Sequence, residues 1–177
     1  MRFFNVNAAL AIAMITGGTI LAKDPPILAP KTILNGHTQA VWCMALSRDG
    51  KLLASGAGNL KVDANNSGEL MLWSPATGNR LATLPSQGGR VRSLAFAPDG
   101  KIIAAAYEPE NVIGRARVVL WSLSSKIPLA KTPFEAVSLA FSSDGKLLAM
   151  GGIEPDPPFP QGGGRRGGAI QVWDVKR

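Results

Sequence analysis

The sequence predicts an all-β protein made of three copies of one antiparallel unit, and three observations carry that prediction. Asp49-Gly50-Lys51 recurs as Asp99-Gly100-Lys101 and again as Asp144-Gly145-Lys146. Each copy is followed by an apolar run that ends in tryptophan, at Trp73, Trp121 and Trp173. Short apolar segments flank every Asp-Gly pair, which is a strong local hairpin signal. Self-similarity of this kind marks an array in which each unit buries its faces against its neighbours. The chain has 177 residues, 46% of them apolar, enough for a sizeable core and too apolar for a disordered chain.

The N-terminus reads as a targeting segment. Arg2 supplies positive charge, Phe3 to Ala22 carries none, and Lys23-Asp24-Pro25-Pro26 returns to polar, helix-breaking sequence. Asn5, Asn7 and Thr16-Gly17-Gly18-Thr19 leave only a short apolar core, so residues 1–22 are expected to be a signal peptide, with a retained membrane anchor over residues 3–22 as the alternative. Residues 23–30 form a linker, and residues 31–177 hold the three units, at about 35–84, 85–132 and 133–177.

Each unit repeats one plan. A first strand (Ala40 to Ser47, Arg90 to Ala97, Glu135 to Ser142) runs into the Asp-Gly turn. A second follows at once (Lys51 to Gly56, Lys101 to Ala106, Lys146 to Gly151), its near-continuous apolar character suiting a sheet covered on both faces. The third is Glu69 to Trp73, Arg117 to Trp121 and Ala169 to Trp173. A fourth is readable at Asn79 to Leu84 and Ile127 to Lys131.

These residues carry a resemblance to the WD-repeat β-propeller family. Gly36-His37 is similar to its Gly-His opening, Ser93 to Gly100 to its inner strand and turn, and Val172-Trp173-Asp174 to its Trp-Asp close. The resemblance covers about residues 31 to 177 and implies a partial propeller of three four-stranded antiparallel blades. It implies structural roles for the repeat markers His37, Asp49, Trp73, Asp99, Trp121, Asp144 and Trp173, with His37 making a buried hydrogen bond. Several positions depart from the pattern. Only the first unit keeps Gly-His, Ser74 and Ser122 replace the aspartate after tryptophan, and Ser67, Arg115 and Gly167 stand where an aspartate usually precedes the third strand. The family's internal His-Asp network is therefore expected to be incomplete in every blade.

Closed propellers have about four to eight blades, so three leave an open arc or one completed by oligomerisation. Lys31-Thr32-Ile33-Leu34 looks like an outer strand without a blade of its own, while the third blade lacks one. A homodimer that exchanges strand 32–34 would close a six-bladed ring and hide the open edges. The competing reading is a truncated or split piece of a longer propeller.

The repeats are spaced 50 and 45 residues apart at the aspartates and 48 and 52 at the tryptophans, against the roughly 40 to 45 usual for such units, and the excess lies between second and third strands. The loops Ala57 to Gly68, Tyr107 to Ala116 and Gly152 to Gly168 must emerge at one end of the array, beside the loops holding His37 and Arg90, because antiparallel connections alternate between ends. Long loops on one side of a repeat array often form its binding face. The candidate residues there are Lys61, Asp63, Tyr107, Glu108, Glu110, Arg115, Glu154, Asp156, Arg165 and Arg166, a mixed-charge rim for a polar partner, or plain solvated charge on protruding hairpins.

Other chemistry finds little support. Cys43 and His37 are the single cysteine and histidine, which excludes an internal disulfide and a Cys/His zinc site. No EF-hand spacing or nucleophile elbow occurs, so no catalytic, metal or cofactor residue is assigned. Gly162 to Gly167 has dinucleotide-type glycine spacing but lies between strands rather than opening a helix. The net charge is +7, and loss of residues 1–22 removes only Arg2, leaving 18 basic against 12 acidic residues. With export, that charge favours acidic envelope components or solubility over nucleic acid. The expected function is a non-catalytic, periplasmic or extracellular scaffold that binds a protein through its loop-rich face and meets the membrane only through an uncleaved N-terminus. The alternatives are a subunit of a propeller enzyme needing further blades and a remnant of a longer repeat protein.

Overall fold

The computed structural model of the protein describes residues 29–59, 68–85, 87–108, 117–153 and 167–175. The chain divides into residues 1–31 and 32–177, and every described strand lies in the second unit. The signal-peptide expectation falls outside the described residues.

The first blade is β1 (Val41–Leu46), β2 (Leu53–Ala57), β3 (Glu69–Trp73) and β4 (Arg80–Leu84), paired in that order. The second is β5 (Val91–Phe96), β6 (Ile102–Tyr107), β7 (Arg117–Ser122) and β8 (Pro128–Thr132). The third has β9 (Glu135–Phe141), β10 (Leu147–Ile153) and β11 (Gly168–Asp174). All pairings are antiparallel, so each blade is a meander. The fold is thus a partial β-propeller, with two four-stranded blades and a third in which three strands are described. The expected loops begin later than the sequence indicated. Ala57, Tyr107, Gly152 and Ile153 all belong to ladders, where they pair with Val41, Val91, Ala136 and Glu135.

The Asp-Gly turns explain why the repeat is so legible. In the first, Asp49 Oδ1 accepts the Lys51 amide at 3.1 Å and the Ser47 hydroxyl at 2.7 Å, while Ser47 Oγ takes the Leu52 amide. Gly50 sits at φ 69°, a conformation that a side chain disfavours. The third turn repeats the arrangement through Ser142, Asp144, Lys146 and Leu147. The second keeps the Asp99–Lys101 bond but has Ala97 in place of the serine. The Ser47 and Ser142 hydroxyls, then the turn amides, hold the Asp49 and Asp144 carboxyls below the usual carboxylate range.

Apolar side chains pack between neighbouring blades. Leu70, Leu72 and Leu84 of the first blade cluster with Leu94, Ile103 and Trp121 of the second. On the other side of the second blade, Ala104, Ala106 and Val118 cluster with Phe134, Leu139 and Met150. The blades approach closely at Gly56, where an added Cβ would lie 2.5 Å from Val91 Cγ1 and 2.7 Å from Cys43 Sγ. Cys43 is held in this interface, its thiol pushed up to about 12 by burial.

Thr32 to Leu34 belongs to no sheet in the single chain. It runs beside the β3–β4 turn, where a Cβ on Gly78 would meet Thr32 Oγ1 and Leu34 Cδ2.

Candidate functional site

Each blade's first strand begins with a β-bulge against the second strand. The register shifts between Val41 and Cys43, between Val91 and Ser93, and opposite Gly151 and Gly152, so the extra residues are Trp42, Arg92 and Val137. A bulge re-aims the side chain it carries. Here it places an indole, a guanidinium and a valine at equivalent positions on successive blades, all at the end where β2, β6 and β10 lead into the long connections. Trp42 and Val137 are each 44% exposed, large values for apolar residues in a sheet.

Arg90 ties this end together. Its guanidinium lies 4.4 Å from the centroid of the Trp42 ring, a cation–π contact between blades, and its Nε donates to Glu108 Oε2. Arg92 Nη1 approaches the other oxygen, Glu108 Oε1, at 3.4 Å. One carboxylate therefore faces two guanidiniums, and the cluster keeps net positive charge. Trp42 Nε1 donates to Gly58 O at 2.7 Å, which fixes the ring edge-on to the backbone. A cleft of about 300 Å³ opens beside it, and Gln39 lines it with a buried Oε1 that has no hydrogen-bond partner among the described residues.

The residues expected from sequence divide sharply. Glu108 belongs to this cluster. Tyr107 does not: only 2% exposed, it packs between the first two blades, because an odd-numbered step along β6 turns it inward. Its hydroxyl lies near Trp121 Nε1, which favours the phenolate, but outside hydrogen-bonding geometry. Burial dominates and pushes its pKa up. Lys61, Asp63, Glu110, Arg115, Glu154, Asp156, Arg165 and Arg166 lie outside the described residues. Trp42, Arg92 and Val137 were overlooked in the sequence. Aligning the units places all three immediately before Cys43, Ser93 and Ser138, and that column was the available signal.

The expectation that the internal network is incomplete everywhere is corrected in the first blade. Glu69, the first residue of β3, supplies the missing carboxylate: its Oε2 accepts His37 Nδ1 at 2.7 Å and the Thr38 amide at 3.1 Å, and Oε1 accepts the Thr38 hydroxyl. His37 Nε2 meets Ser55 Oγ at 2.6 Å, and Trp73 Nε1 donates to that oxygen at 2.7 Å. A neutral ring protonated on Nδ1 satisfies the whole chain, with Trp73 donating to Ser55, Ser55 to His37, and His37 to Glu69. Burial raises the Glu69 pKa, but the Thr38 hydroxyl, His37 and the Thr38 amide outweigh it and hold the carboxyl below its ordinary value. The second blade has Ala105 where the first has Ser55, so Trp121 Nε1 is left without a partner among the described residues. Trp173 bonds Gln171 on its own strand.

Stacked four-stranded meanders with a histidine-to-tryptophan relay inside a blade define a propeller-repeat protein. The WD domain, G-beta repeat family matches residues 28–74 and 78–108. Small ribosomal subunit protein RACK1 of Candida albicans is 36% identical over 79% of this chain and 38% of its own length. Human cilia- and flagella-associated protein 52 is 24% identical over 82% of this chain and 21% of its own length. Human apoptotic protease-activating factor 1 is 39% identical over 45% of this chain. The chain belongs to the WD-repeat family, an architecture of protein-interaction platforms, and it spans less than two fifths of the length of these relatives.

Proposed function

We propose that the protein is a non-catalytic, exported binding module that takes up a protein partner at the bulge-bearing end of its blades. The observation that carries this reading is the row Trp42, Arg92, Val137, with Glu108 held between Arg90 and Arg92. An exposed indole and valine flanking cationic nitrogen fit a peptide that presents an apolar side chain next to a carboxylate. Aromatic and arginine side chains are the residues most often decisive at such interfaces. Export rests on the sequence of residues 1–22 alone, and the relatives, named for a ribosome, cilia and a protease-activating factor, add nothing to it.

Selection of phage-displayed peptides on the full chain tests the reading. Recovered peptides are expected to carry an acidic residue beside an apolar one. They should lose at least tenfold in affinity on Trp42→Ala and Arg92→Ala, and bind Lys51→Ala and Lys146→Ala, at the opposite end, unchanged. Peptides indifferent to Trp42 and Arg92 would refute it.

A further inference from the structure

The two terminal blades expose the two halves of one interface. At the joins inside the molecule, Leu70 of the first blade and Val118 of the second are fully buried, and both face the blade that follows. Strand pairing gives their counterpart in the third blade as Ile170, which is 81% exposed. The other half behaves the same way. Leu94 and Leu139, which face the preceding blade, are 8% and 9% exposed, whereas their first-blade counterpart Met44 is 72% exposed. Val172 and Leu46 extend the same two exposed faces.

A groove of about 300 Å³ lies along β11 on the opposite face from Ile170 and Val172, the face turned toward the second blade. It lies between β8 and β11, lined by Leu129, Lys131, Leu148, Met150 and Trp173, in the place that a fourth strand occupies in the other blades. The chain itself supplies a matching segment. Leu84 of the outer strand β4 precedes Val91 by seven residues, and Leu34 precedes Val41 by the same seven. Since β4 pairs Leu84 with Leu70 and Thr83 with Met71, an equivalent strand on β11 would pair Leu34 with Ile170 and Ile33 with Gln171. Leu34 then covers the exposed Ile170 face. Ile33, largely exposed in the single chain, turns toward Met150 and the groove.

We propose that these surfaces bind one another between two copies of this chain, head to tail, each copy laying Thr32–Leu34 along the other's β11 to complete a six-bladed ring. Each end is chemically a copy of the interior surface that its opposite end already packs against, so the partner that fits without redesign is the chain itself. Copies of a three-blade unit reach the closed range of about four to eight blades only as a pair. A head-to-tail contact that closes in this way leaves no sticky end for growth into fibres.

Sedimentation equilibrium of the full chain over a range of concentrations tests the proposal. The expected mass is twice the 18.5 kDa of one chain, falling to the single mass in Ile170→Asp and in Met44→Asp. A second measurement fixes the register: Leu34→Cys with Ile170→Cys should oxidise to a covalent dimer, whereas Leu34→Cys with Val172→Cys, shifted by two residues, should not. Cys43, held between blades, does not compete. A monomer at every concentration, as expected if further blades of a longer polypeptide cap these faces, would overturn the proposal. So would a mass that grows without limit, or a dimer that survives both aspartate variants and forms no 34–170 cross-link.

Discussion

Replacing Glu69 isolates what the first-blade relay contributes. In Glu69→Ala, His37 Nδ1 loses its acceptor while the ring stays enclosed, with only 8% of the side chain exposed. A buried donor left without a partner costs about 1–3 kcal/mol. The Thr38 amide and hydroxyl also lose Glu69, but Thr38 is exposed and water replaces the carboxylate there at little cost. The expected loss is therefore about 2 kcal/mol. Glu69→Gln keeps an oxygen for His37 but not the charge, so its loss should be roughly 1 kcal/mol. Urea unfolding followed by fluorescence reads both, as a midpoint lowered by about 1 M for the alanine variant at an unchanged slope. The pH dependence adds a second check. Because the folded Glu69 pKa lies below its unfolded value, its contribution is complete above the unfolded pKa and is lost as pH falls through the folded one. Asp49 and Asp144 act in the same direction, so the informative quantity is the difference between wild type and Glu69→Gln, which should shrink over that acid window. A Glu69→Ala midpoint equal to wild type, or a difference that grows on acidification, would refute the relay's energetic role.

Three further outcomes follow from the packing. Gly56→Val would drive its Cβ into Val91 and Cys43 and wedge the first two blades apart, an overpacking cost of about 1–3 kcal/mol readable as a lowered urea midpoint. Trp73→Phe should destabilise more than Trp121→Phe, by about 1 kcal/mol, because of these two indoles only that of Trp73 has a hydrogen-bond partner among the described residues to lose, and the reverse order in thermal melts would contradict the geometry. Ala97→Ser gives the second turn the hydroxyl that Ser47 and Ser142 use to take the Leu52 and Leu147 amides. A gain of about 0.5–1.5 kcal/mol in chemical unfolding is expected, and no gain would mean the alanine turn is already satisfied.

The order of the strands was legible because the causes are local. Asp49 reaches an amide two residues away, Gly50 supplies the positive φ, and apolar runs between such turns leave few other ways to pair. The candidate site was less legible. Glu69 lies 32 residues from His37, and nothing in the intervening sequence shows that a glutamate opening β3 reaches the position of an absent aspartate. Tyr107 looked like a loop residue because Glu108-Pro109 follows it, yet the ladder runs one residue further than the apolar stretch and turns it into the core.

Sequence alone determined that this chain is an array of hairpin-built units, because turn chemistry and strand periodicity act over a few residues. Only the tertiary structure decided which side chains the bulges lift out of the sheet and which carboxylate completes the relay. It also decided that Leu70 and Ile170, equivalent in the repeat, have opposite fates. Burial of that kind belongs to the neighbour rather than to the residue: Leu70 has a second blade against it, and Ile170 has none among the described residues.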